Sequence, residues 1–174
     1  TSSFQCQLDS GGYGACTSPR NYSALADGSH TFEVRATDTA GNADVTPASF
    51  TWTIDTGPPN TSITANPALL STSTSAAFSF TATETSTFQC QLDGGGYGAC
   101  TSPRNYSSLA DGPHTFEVRA IDGAGNVDPT PQSHSWTIDT AAPAAPVITS
   151  PADGTFTITG GTGRYAGLTG SYAF

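Results

Sequence analysis

Residues 4–56 read FQCQLDSGGYGACTSPRNYSALADGSHTFEVRATDTAGNADVTPASFTWTIDT, and residues 88–140 return as FQCQLDGGGYGACTSPRNYSSLADGPHTFEVRAIDGAGNVDPTPQSHSWTIDT. The offset is 84 residues, and about five in six aligned positions agree. A period of that length is a domain-sized repeat and not a short solenoid unit. Inside the repeat the plainest signal is Thr115 to Ile121. Phe116, Val118 and Ala120 alternate with Thr115, Glu117 and Arg119, the period-two pattern of a strand with one face buried.

Working outward from that strand, one full period divides into short strands and turns. Thr61 to Ala65 is a strand after Pro58-Pro59, and Ala76 to Ala82 sets Phe78, Phe80 and Ala82 on one face. Thr87 to Leu92 aligns Phe88, Cys90 and Leu92; the Asp93–Gly96 run turns the chain, and Tyr97 to Cys100 returns it. After a second turn at Asp122–Asn126, His134 to Ile138 closes the unit with Trp136 and Ile138 on one face. Seven or so short strands with frequent turn signals predict an all-β chain of tandem immunoglobulin-like or fibronectin III-like β-sandwich repeats. Composition agrees: charged residues are 11%, Lys and Met are absent, and Gly and Pro number 19 and 12, which disfavours long helices.

The expected domains are 1–56, a partial repeat lacking its first two strands; 57–140, a complete repeat; and 141–174, the opening strands of a further domain or a donor-strand tail. Pro146 to Ser150 and Thr155 to Thr159 are the strands expected in that last piece.

The net charge is −9, with five Arg as the only strong cations. Phosphate binding needs a basic patch, so nucleic acid and anionic membrane surfaces are poor candidates as partners, and no nucleic acid and no membrane insertion is expected. No stretch reaches the roughly 18 apolar residues of a membrane-spanning helix. Thr1, Ser2 and Ser3 do not resemble a signal peptide, so any export signal is expected to lie outside this sequence.

Cys6 and Cys16 are ten residues apart, and Cys90 and Cys100 repeat that spacing. Four cysteines allow three pairings, and the duplication makes pairing within each repeat the simplest. A Gly-rich hairpin would bring each pair into reach, and closing so short a loop contributes about 2–3 kcal/mol in the chain-entropy account. The alternative is a metal site. Zinc needs four convergent ligands, and neither a CxxC nor a paired His is present, so no metal and no cofactor is assigned. Disulfides imply an oxidising compartment.

The string C-x-L-D-G-G-x-Y-x-x-C-T-S-P, followed by Y-S-x-L-A-D-G-x-H-T-F-E-V-R-A-x-D-x-A-G-N-x-D-x-T-P and W-T-I-D-T, resembles the bacterial Ig-like repeats of large secreted and surface-anchored proteins. The resemblance covers Phe4–Thr56 and Phe88–Thr140. It implies a stalk, spacer, adhesin segment or accessory module, and a secreted, extracellular or cell-surface location. It also argues against use of the glycosylation sequons at Asn21, Asn60 and Asn105.

The remaining candidate residues have bland readings beside functional ones. Tyr22 and Tyr106 stand where a tyrosine corner would hydrogen-bond the backbone, or are plain half-buried rings. His30 and His114 follow Asp27 and Asp111 by three residues, but no G-x-S-x-G nucleophile elbow accompanies them, so no catalytic residue is assigned. His134 stands where the first copy has Phe50, which suggests a peripheral position. Asp38, Asp44 and Asp55 recur as Asp122, Asp128 and Asp139; they serve turns, or bind Ca²⁺ near a domain junction. Trp52, Trp136, Tyr13 and Tyr97 pack between sheets, or stack on sugars if exposed. The tail from Phe156 to Phe174 faintly resembles a hairpin of secreted β-barrel proteins related to allene oxide cyclases, and is too short for a barrel. Its Gly-rich loop also lacks the Lys-Ser/Thr of a phosphate-binding loop.

These readings point to a structural, non-catalytic protein. Its partners would be copies of itself, assembled head-to-tail by donor-strand completion of the first repeat, or flanking repeats of a longer chain. The alternative is an accessory module of a secreted enzyme that binds a surface glycan or a protein ligand.

Overall fold

The computed structural model describes residues 2–149 and 157–159, and every regular element among them is a strand. Strands β1 (Ser3–Leu8), β2 (Gly14–Cys16), β3 (Gly28–Thr37) and β4 (Ala48–Ile54) form an antiparallel sheet in the order β2-β1-β3-β4. Then follow β5 (Thr61–Ala65), β6 (Leu70–Ser71), β7 (Ala76–Ala82), β8 (Ser86–Leu92), β9 (Gly98–Cys100), β10 (Arg104–Tyr106), β11 (Gly112–Asp122) and β12 (Gln132–Ile138). These build two sheets, β10-β7-β5 and β6-β12-β11-β8-β9. Finally β13 (Val147–Thr149) pairs antiparallel with β14 (Thr157–Thr159); the rest of the expected C-terminal strands and the Gly-rich tail lie outside the described residues.

The two sheets of residues 57–140 make a β-sandwich of the Ig-like type. Its core is the period-two pattern realised: Phe116, Val118 and Ala120 on β11 are fully buried, and Trp136 and Ile138 on β12 nearly so. The three-stranded sheet supplies Ala76, Phe78 and Phe80 from above. Phe78 stacks on Phe116 at 4.1 Å between ring centroids, and Phe80 meets Phe88 edge-on at 4.9 Å. Two strands escape the pattern argument, β6 and β10. They are two and three residues long, below the length at which alternation can be read.

Residues 3–54 reproduce four strands of the five-stranded sheet, all but β6. Cys6 pairs with Val34 and His30 with Trp52, as Cys90 pairs with Val118 and His114 with Trp136. The turns also repeat: Asp9 and Asp93 both adopt a φ of 51°, the left-handed region that Asp tolerates better than most residues. Cys6–Cys16 and Cys90–Cys100 are disulfide-bonded, each with a Cα separation of 5.8 Å, and tie a three-residue edge strand to its neighbour.

The copies differ in what lies over the sheet. Phe116 is wholly buried; Phe32, in the same seven-residue context HTFEVRA, is only half-buried. Trp136 is 3% exposed and Trp52 is half-buried, while Phe50 is 67% exposed. Among the described residues, no second sheet covers β1, β3 and β4.

One substitution between the copies leaves a polar defect. Thr37 stands where the second copy has Ile121, and its buried hydroxyl has no hydrogen-bond partner. Removing an unpaired buried hydroxyl recovers about 1 kcal/mol or more. Thr37→Ile is therefore expected to raise the denaturation midpoint of the first copy, read by urea titration; a lowered midpoint would show that the hydroxyl is not a cost.

Candidate functional site

The sequence singles out two histidines, and both are structural. His114 lies at the start of β11, where Nδ1 faces Asp93 Oδ2 at 2.8 Å and Nε2 faces the Ala110 carbonyl at 2.9 Å. His30 makes the same two contacts, with Asp9 at 2.7 Å and Ala26 at 2.8 Å. The acid partner is thus the hairpin aspartate, not Asp27 or Asp111, whose carboxylates accept from the Thr56 and Thr140 hydroxyls. Both ring nitrogens are occupied, so neither can activate a serine. What the imidazole does is hold the hairpin turn and the Ala110 loop to β11.

Its electrostatics follow from those contacts. Two acceptors, the Ala110 carbonyl first and the Asp93 carboxylate second, favour the doubly protonated ring and raise the His114 pKa against a desolvation cost. Burial opposes ionisation of Asp93, but hydrogen bonds from His114 and Thr115 hold its pKa below the usual value. The histidine contribution is complete below its unfolded pKa of about 6.5 and fades as pH rises through the higher folded value. The aspartate contribution holds above its unfolded pKa of about 3.9 and fades as pH falls through the lower folded value. Melting temperature should therefore decline as the pH is raised from about 6 through the folded-state value of the histidines. His114→Gln should flatten that decline for the second copy; an unchanged slope in the variant would refute the assignment.

The aspartates of the D-x-x-G-N-x-D turn fold the chain upon itself. Asp122 accepts from the Ala124 and Asn126 backbone and from the Asn126 side chain, and Asp38 does the same with Ala40 and Asn42. Asp55, Glu84 and Asp122 bring carboxylate oxygens within 4.8 Å of one another, the arrangement among the described residues that comes nearest to a cation site. Glu84 carries no motif and was invisible in the sequence. Ca²⁺ takes six to eight oxygens, and the Asp122 carboxylate is already engaged by its own turn.

Aromatic side chains sort into two groups. Tyr13 and Tyr97 lie under Arg35 and Arg119, with guanidinium carbons 3.9 and 4.1 Å from the ring centroids, and their hydroxyls donate to Glu33 and Glu117. Gln7 and Gln91 bind the same two glutamates. A ring face held by a guanidinium is not free to stack on a sugar. Tyr106 does not form a tyrosine corner: its phenol makes no hydrogen bond among the described residues, and its ring sits edge-on to Phe78 and Phe116. Tyr22 meets Phe32 in the same edge-on way. His134 is not merely peripheral, since it packs on Phe78 and Trp136 and meets Asn66 through Nε2.

The second group is the uncovered face of the first copy. Tyr22, Leu25, Phe32, Phe50, Trp52 and Ile54 line a cavity of about 680 Å³. In the second copy the matching rings close around Phe78, which occupies the corresponding place. Beside this face is a polar edge. In the second copy Asp128, 2% exposed, uses Oδ1 to hold Thr130 and Oδ2 to accept from the Thr61 backbone N–H at 2.8 Å. The Thr61 hydroxyl in turn accepts from the Ala120 N–H at 2.8 Å. Burial raises the Asp128 pKa, and the Thr61 and Thr130 hydrogen bonds outweigh it to hold the group ionised. In the first copy Asp44 Oδ1 holds Thr46 identically, while no described residue reaches Oδ2.

Residues 2–56 match the family model described as bacterial Ig-like domain. No curated protein matches the chain. The matched segment is the copy with the uncovered face.

Proposed function

We propose that this protein is a structural, non-catalytic Ig-like repeat module that works outside the cell and joins to further repeats through strands that complete the first copy. One observation carries the reading. Matching strands, with the same HTFEVRA run on β3 and β11, form a closed core in one copy and an open aromatic face in the other. Fully burying a Phe, Leu or Ile side chain gives about 1.5–3 kcal/mol, so covering this face is strongly favourable. The cover is a strand pair of the β5·β7 type, and where another copy of the chain supplies it, head-to-tail repetition of that contact builds a filament. The β13·β14 pair has the antiparallel arrangement of β5·β7, with Ile148 opposite Ile158 as Ile63 lies opposite Phe80. A bacterial Ig-like domain and the two disulfides fit this extracellular role.

A glycan-binding accessory role needs aromatic rings that stay free in the finished protein. Phe32 and Trp52, half-buried here, occupy the positions of Phe116 and Trp136, which are core in the covered copy, and this favours assembly. The 174-residue chain is expected to polymerise with rising concentration, and a chain lacking residues 141–174 is expected not to, both read by analytical ultracentrifugation. A monomer at all concentrations from the intact chain would overturn the filament.

A further inference from the structure

We infer that the 122–126 turn of the second copy is a docking surface for the strand exit of the first, and that Asn126 fixes the angle between the two copies by donating across the linker to the Asp55 carbonyl. This joint lies inside the chain and is independent of what covers the face of the first copy.

The linker between β4 and β5 is held from both ends. Thr56 belongs to the first copy, where its hydroxyl donates to the Asp27 carboxylate at 2.9 Å. Asn60 belongs to the second: its N–H donates to the Thr83 hydroxyl and its carbonyl accepts from the Thr83 N–H, each at 3.0 Å. Pro59 is fully buried, which extends the hold of the second copy by one residue. Gly57 and Pro58 stand between, both exposed. The Pro58 ring locks its own φ, whereas Gly57 has no Cβ to restrict it. Rotation of one copy against the other is therefore concentrated at Gly57. Packing does not demand a glycine there. A Cβ at Gly57 would meet Asp55 Oδ1 at 3.6 Å, an ordinary contact, and the matching position after the second copy is Ala141. The Gly57 N–H bond to Asp55 Oδ1 recurs between Ala141 and Asp139, so it belongs to the strand exit and not to the joint.

Asn126 spans this pivot. In both copies the turn asparagine donates one side-chain N–H to its own aspartate, Asn42 to Asp38 at 2.9 Å and Asn126 to Asp122 at 2.8 Å. An amide has a second N–H to give. Asn126 donates it to the Asp55 carbonyl at 3.0 Å, while Asn42 reaches nothing beyond its own turn among the described residues. The bond leaps over Thr56 to Asn60 and ties the end of β4 to the turn after β11. Electrostatics oppose it. Asp55 of the first copy brings its carboxylate within 4.8 Å of those of Glu84 and Asp122 of the second, and like charges that close repel. A directional bond thus closes a joint that charge alone would open.

The test is single-molecule energy transfer on the full 174-residue chain at picomolar concentration, where each chain is alone. Fluorophores are placed at Ser49→Cys on β4 and Ser133→Cys on β12, both exposed, since the four native cysteines are paired. The parent should give one narrow distribution of transfer efficiency. Asn126→Ala should lower the ratio of docked to undocked joints about fivefold, read as a broadened or second population. Asn42→Ala loses the same bond within its turn and should leave the distribution narrow. Gly57→Ala added to Asn126→Ala should narrow it again by stiffening the pivot. A broad distribution in the parent would overturn the joint outright. A narrow one in Asn126→Ala, or equal broadening by the two asparagine variants, would show that the bond to Asp55 does not set the angle.

Discussion

The stack of Phe78 on Phe116 is the contact on which the sandwich depends. It joins the two sheets at the centre of residues 57–140, and Trp136, Tyr106 and Phe80 gather around it. A sheet with one apolar face is not stable until that face is covered, because alternation puts Phe116, Val118 and Ala120 of β11 on the same side. The disulfides cannot substitute for that cover. They fasten β2 and β9 along the edge of a sheet and leave its face untouched. Strands β1 to β4, the staple and the turns thus have counterparts in the second copy, and the cover separates a core from a surface.

A polar network frames this apolar centre in each copy. His114 ties the β8 hairpin turn to β11, Asp122 closes the turn after it, and Asp128 reaches across to the opposing sheet. The first two are complete in residues 2–56, through His30 and Asp38, because their partners are local to that sheet. The third is not, because its partner lies on the covering strand. The network therefore shows which interactions belong to a sheet by itself and which belong to the finished sandwich.

Much of this was readable in the residues. The strict alternation of Thr115–Ile121 and Ala76–Ala82 named the buried faces: Phe116, Val118, Phe78 and Phe80 are core, while Ala82 at the end of β7 is only half-buried. Strands β6 and β10 were not readable, since two or three residues carry no period. The partner of His114 was misplaced because sequence distance favours Asp111, whereas the hairpin folds Asp93 back against the ring. Thr61 offered no signal at all. A threonine opening a strand looks like propensity, and its role appears only when Asp128, 67 residues away, is brought beside it. Glu84 joined Asp55 and Asp122 for the same reason: sequence patterns report local periodicity, and contacts between distant turns have none.

Hydrogen exchange offers the most direct test of the claim that the cover, and not the strand itself, makes the core. Residues 30–36 and 114–120 have the same sequence, HTFEVRA, so their intrinsic exchange rates match, and both lie on central strands paired on each side. Measured at a concentration where the chain is monomeric, the amides of Phe116 to Arg119 should exchange at least tenfold more slowly than those of Phe32 to Arg35, since protection follows the free energy of opening. Equal protection of the two segments would contradict the account, because it would mean that an uncovered sheet is as stable as a covered one.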